Sequence, residues 1–163
     1  IKMHCLASHT CHAGHFDELL SETHIAKYCQ SVRKKPGEIL YKMGDELKRI
    51  WMLHRGKVSL SIKKYAEGKR ITEERVSVLK TGVVSQTLPG MLCSETATCL
   101  EPSTFITLGK EALHDLSIKY PFDALKLHRL VIQDIADTKS QLEHKTDDNI
   151  EADDYLKNQL KHE

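Results

Sequence analysis

Residues 50–63 read IWMLHRGKVSLSIK, and the change of pattern inside this stretch decides the fold class. Ile50-Trp51-Met52-Leu53 is a short unbroken apolar run, stopped by Arg55-Gly56. Beyond the glycine, Val58, Leu60 and Ile62 alternate with Lys57, Ser59, Ser61 and Lys63. Alternation with period two belongs to a strand with one buried and one wet face. Val58, Leu60 and Ile62 are therefore expected inside, with Lys57, Ser59 and Lys63 outside.

The same rhythm of strand and turn extends in both directions. Ile39-Leu40-Tyr41 is stopped by Gly44-Asp45, Gly68 marks a hairpin, and 75–79 forms the returning strand. Two further strands are expected over 96–100 and 104–108. Short strands at such regular spacing mean a barrel or jelly roll. Before Pro36-Gly37 the spacing is helical: Phe16, Leu19, Leu20 and Ala26, interleaved with Asp17, Glu18 and Glu22, predict an amphipathic helix ending before Val32.

After Gly109 the helical period returns. Residues 111–119 read as a short helix, and Tyr120-Pro121 restarts the chain with proline at a first helical turn. Leu125, His128, Ile132, Ile135 and Leu142 then form a stripe, expected to pack against the strands. The expected architecture is mainly β with flanking helices: a β-roll or jelly roll over about 32–108, preceded by one helix and followed by two. In domain terms, 1–15 is a linker, 16–145 the folded domain and 146–163 a polar acidic tail.

A chain of 163 residues, 40% hydrophobic and 29% charged, has the composition of one soluble globular domain. A formal charge of +1 gives no electrostatic case for nucleic acid. No apolar run approaches the roughly 18 residues that span a bilayer, and no signal-peptide pattern opens the chain. Five cysteines, an odd number without C-x-x-C spacing, point to a reducing, cytoplasmic setting. The first residue, Ile1, suggests a piece of a longer protein, so the parent is open to being a membrane protein.

KPGEILYKMGD (35–45), IWMLHRGKVSL (50–60), a glycine-initiated loop ending in TAT (96–98) and TFITLGKEALHDLSIKYP (104–121) together resemble the cyclic nucleotide-binding domain family. The resemblance covers about 16–145. In that family a Gly-Glu pair opens a short helix, the glutamate takes the ribose hydroxyl, and an arginine just before a small-Ala-Thr run takes the cyclic phosphate. Backbone N–H groups of the short helix complete the anion cradle. Carried onto this chain, Gly82 starts the loop, and Ser85 and Gln86 fall where the Gly-Glu pair belongs, with one residue missing. Glu95 stands at the arginine position, ahead of Thr96 and Ala97.

Between Lys80 and Lys110 there is no Lys, Arg or His at all. The resemblance thus implies a degenerate cassette that binds cAMP or cGMP weakly or not at all. It implies a non-catalytic regulatory domain, with the cytoplasmic part of an ion channel or exchanger as the expected context. A functional sensor with an atypical pocket and a protein-interaction module are the alternatives. A partner, or a second copy, would dock through Leu125, Ile132 and Ile135. Neither nucleic-acid contact nor membrane insertion is expected of this segment.

Other constellations weigh less. HCLASHTCHAGH (4–15) supplies six zinc-type ligands in no established spacing, and is read as a linker with no metal and no cofactor. Catalytic signatures such as G-x-S-x-G or H-E-x-x-H are missing. Cys93 and Cys99 are expected as small core residues. Arg33-Lys34-Lys35 is read as solvated surface.

Overall fold

A computed structural model describes residues 12–22, 24–66 and 70–159 of the chain. The order is α1 (His12–Glu22), a short 3-10 helix (His24–Tyr28), then eight strands and two helices. The strands are β1 (Gln30–Lys34), β2 (Ile39–Tyr41), β3 (Arg49–Arg55), β4 (Val58–Ala66), β5 (Arg70–Leu79), β6 (Gly82–Val83), β7 (Thr96–Cys99) and β8 (Ser103–Gly109). Helices α2 (Lys110–Lys119) and α3 (Pro121–Gln159) follow. The strands form two antiparallel four-stranded sheets, β1-β8-β3-β6 and β2-β7-β4-β5. This is the expected helix, β-roll, two-helix architecture.

Strand β3 explains why residues 50–53 are apolar without interruption. Ile50 and Met52 enter a core shared with α1, α2 and α3, while Trp51 and Leu53 enter the interior of the roll. Over these four residues the strand has a dry core on each side, so both faces call for apolar side chains. Gly56 closes the turn into β4 at φ +126°, where a Cβ would stand 2.8 Å from the Ser103 Cα, so only glycine fits.

Three expectations are corrected. The helix expected to end before Val32 already ends at Glu22, so Ala26 falls in the 3-10 helix, and β1 occupies 30–34, pairing with β8. Val32 is the only large apolar residue of QSVRK, too weak a pattern to announce a strand. Second, Ser59 is buried rather than outside, as is Ser61. Strand β4 is central, paired to β5 and β7, and a serine is small enough for neighbouring strands to cover. Val58 and Leu60 are fully buried as expected, Ile62 is half-buried, and Lys63 is exposed.

Third, α3 buries Ala124, Leu127, Val131 and Asp134, not the face centred on Leu125 and Ile132. Those two are about half exposed, whereas Ile135 of that stripe packs against the helix core. Residues 146–159 of the expected polar tail continue α3. The side chain of Leu142, residues 67–69 of the hairpin and residues 4–11 of the histidine- and cysteine-rich run lie outside the described residues.

The N-terminal elements are pinned to the start of α3 by one small cluster. The His24 ring stacks on Tyr120 at 3.9 Å, its Nδ1 lies 2.9 Å from Asp123 Oδ2, and its backbone N–H donates to the same oxygen at 3.1 Å. Asp123 also sits in the first turn of α3, where the helix dipole favours a negative charge. The backbone N–H of His24, then its ring, hold the Asp123 carboxyl below the usual carboxylate range. A depressed carboxyl stabilises the fold above its unfolded pKa, about 3.9, and loses that contribution as pH falls through the folded value. Asp123→Ala is therefore expected to melt below wild type at pH 7, with the gap closing in acid as the pH falls through the lowered folded-state value. A gap that widens in acid would contradict the assignment.

Leu60 is fully enclosed in the roll interior. Truncation to alanine should cost about 2–5 kcal/mol in a urea melt. A loss below about 0.5 kcal/mol would show that the strand register is wrong.

Candidate functional site

The segment between β6 and β7 carries the residues in question. Gly82 and Val83 form β6 beside Leu53 and Met52 of β3, and the Val84 N–H continues the contact to the Trp51 carbonyl at 2.9 Å. From Val84 to Glu95 the chain makes turns and no helix, where the resemblance implies a short one. Pro89 lacks an N–H and Gly90 sits at φ +92°, and both interrupt helical bonding. The segment instead zips against residues 44–47. Gly44 N–H donates to Cys93 O, Cys93 N–H to Asp45 O, Leu47 N–H to Met91 O and Gly90 N–H to Leu47 O, all at 2.7–2.8 Å.

Glu95 lies at the centre, 3% exposed. Its Oε1 accepts from the Tyr41 hydroxyl at 2.7 Å and from the Gln86 backbone N–H at 3.1 Å, and its Oε2 accepts from the Ser94 hydroxyl. A buried carboxylate is costly unless donors surround it, and here three segments supply them. Among the described residues no Lys, Arg or His pairs with it. Burial, and then the Glu95 charge, push the Tyr41 phenol far above its ordinary value. Tyr41 is therefore a permanent donor.

The structure brings Gln86 and Glu95 together and joins them to each other. The Gln86 side chain donates to Val84 O at 3.4 Å. Ser85 is buried with its hydroxyl turned to Thr87 O. Thr96 accepts from the Met43 N–H at 3.0 Å, and Ala97 is fully enclosed in the roll. Gly82 lies at the other end of the segment, against Asp134 of α3, which takes the Val83 N–H at 2.5 Å.

Tyr41, Ser94 and Asp134 were not anticipated. Tyr41 carries a signal in hindsight, because a buried tyrosine needs a partner for its hydroxyl. Cys93 and Cys99 are core residues, and burial pushes the Cys93 thiol up to about 11. At neutral pH Cys93 is a thiol rather than a nucleophilic thiolate. No group of His, Cys, Asp and Glu among the described residues is arranged to hold a metal. No helix among them is long and apolar enough to cross a membrane.

No protein-family model and no curated protein matches the sequence. Solved structures do match. A cyclic nucleotide-binding domain from Methylobacillus flagellatus is 17% identical over 82% of this chain and 83% of its own, with a TM-score of 0.65. The fold is that of the cyclic nucleotide-binding domain. The N-terminal domain of a transcriptional regulator from Streptomyces coelicolor shares this fold at 23% identity and TM-score 0.55, covering 77% of this chain and 86% of that one. So does the c-di-GMP responsive global regulator CLP of Xanthomonas campestris, at 14% identity and TM-score 0.61. There the cyclic nucleotide-binding fold matches 83% of this chain but only 63% of the regulator.

Proposed function

We propose that the domain is a non-catalytic regulatory module of the cyclic nucleotide-binding fold whose pocket binds cAMP and cGMP weakly or not at all. One observation carries the reading. Where the resemblance places a phosphate-binding arginine there is a buried carboxylate, and it already holds the Gln86 N–H. Losing an arginine–phosphate pair costs about 2–5 kcal/mol. A carboxylate adds like-charge repulsion against the phosphate.

The proposed setting is the cytoplasmic part of a channel or exchanger, as the resemblance implies. A second reading, the sensor half of a transcription regulator, is favoured by the Streptomyces and Xanthomonas neighbours. Salt-dependent retention of the intact parent protein on duplex DNA separates the two. In either setting the half-exposed Leu125 and Ile132 of α3 serve as the contact for a protein partner or a second copy.

Calorimetric titration tests the pocket. Wild type should show no saturable heat with cAMP or cGMP at micromolar concentrations. Glu95→Arg removes the repulsion and restores a bidentate donor. Because Gln86 and the shortened loop remain imperfect, recovery should be on the order of tenfold to a hundredfold, and adding Gln86→Glu should improve it. Micromolar binding by wild type, weakened by Glu95→Arg, would overturn the proposal.

A further inference from the structure

The segment 82–86 is gripped at both ends by carboxylates buried in the protein. At one end Gln86 N–H donates to Glu95 Oε1. At the other Val83 N–H donates to Asp134 Oδ2, and Gly82, at φ +91°, would place a Cβ 2.7 Å from that same oxygen. Any side chain at residue 82 would push the carboxylate away. Between the two ends, Val84 N–H is committed to the Trp51 carbonyl. Asp134 and Glu95 are 6% and 3% exposed, so both grips are sheltered from water.

Donors converging on one place can hold an anion. Here one backbone N–H, that of Gln86, and the hydroxyls of Tyr41 and Ser94 hold a carboxylate that is part of the chain. We propose that Glu95 is a resident, covalently attached occupant of the cassette, and that through the 82–86 segment and Asp134 it holds α3 docked without any diffusible ligand. This rests on the reading of the pocket given above. Only Val84 and Ser85 separate the two gripped amides, so loss of the grip at Gln86 loosens first the Val84 bond to Trp51 and then Val83. Val83 packs in the same core as Val131 and Leu127 of α3. The docked position of α3 is then set by a side chain that cannot dissociate.

The test uses the full chain and reads amide hydrogen exchange residue by residue. Glu95→Ala should accelerate exchange at Gln86 by about tenfold or more, and at Val83 and the α3 amides around 127–134 by a similar factor. Acetate, compared with chloride at equal ionic strength, should reverse the acceleration in Glu95→Ala by refilling the vacated carboxylate position. It should leave wild type and Asp134→Asn unchanged. Should Glu95→Ala not fold, Glu95→Gln serves. It keeps the volume and one acceptor oxygen while removing the charge, and the same amides should exchange about threefold faster. Acceleration confined to Gln86, with Val83 and α3 unchanged in whichever variant folds, would overturn the inference. So would a Glu95→Ala that acetate does not protect. Nucleotide titration of wild type fails or succeeds independently: micromolar cAMP binding removes the pocket reading even where the exchange coupling is seen.

Discussion

The structure depends on one strand that is dry on both faces over residues 50–53. β3 divides two apolar cores, sending Ile50 and Met52 to the helices and Trp51 and Leu53 into the roll. With both faces dry, its backbone polar groups must find neighbouring strands, because an unpaired amide there would have no water. β8 pairs with nearly the whole of it, and the two-residue β6 takes part of the other edge. A register slip of one residue would exchange the contents of the two cores. Polarity would not resist that slip, since both faces are apolar. Shape does: Trp51 meets Phe105 edge-to-face at 5.5 Å inside the roll, and Met52 cannot reproduce that contact.

The cassette segment inherits its position from this wall. Val83 belongs to the helix core and Val84 to the roll interior, so the chain crosses from one core to the other within two residues. On either side of that crossing it meets a carboxylate, Asp134 at Val83 and Glu95 at Gln86, from elements far apart in sequence. A buried carboxylate is tolerated only with donors in place, so Glu95 and Asp134 penalise every arrangement in which β2, the segment or α3 is displaced. Apolar packing alone would accept small slides of α3 along the sheet. The hydrogen bond from Val83 does not.

The strands could be read from the sequence where side-chain period and burial agree, as at Val58 and Leu60. Elsewhere tertiary context overrode the local pattern. Ser59 is covered by neighbouring strands that its own sequence does not reveal, and β1 becomes a strand because β8 offers it an edge. On α3 apolar residues occupy so much of the circumference that periodicity cannot select a face. Leu125 and Ile132 outweigh Ala124 by hydrophobicity, yet Ala124 is the one that permits close approach, and Asp134 is buried for a hydrogen bond that no apolar stripe predicts. The anomaly at Glu95 was visible as a carboxylate where the resemblance implies an arginine. Its partners were not, because Tyr41 lies 54 positions away and nothing in the strand pattern marks its hydroxyl as a donor to Glu95.

A diffusible anion and a resident carboxylate can hold the same N–H group, but they place the ordering cost in different processes. A ligand orders its loop on binding, so the ordering entropy reduces affinity and the loop is loose when the ligand is absent. A carboxylate on the chain orders the loop as the protein folds, and the entropy is absorbed into stability. The second arrangement has no dependence on ligand concentration and hence no signal of that kind to transmit. What it provides is a fixed geometry. With Glu95 and Asp134 in place, the 82–86 segment acts as a strut between the roll and α3, and the exposed face of α3 is presented at a constant angle to whatever the domain contacts.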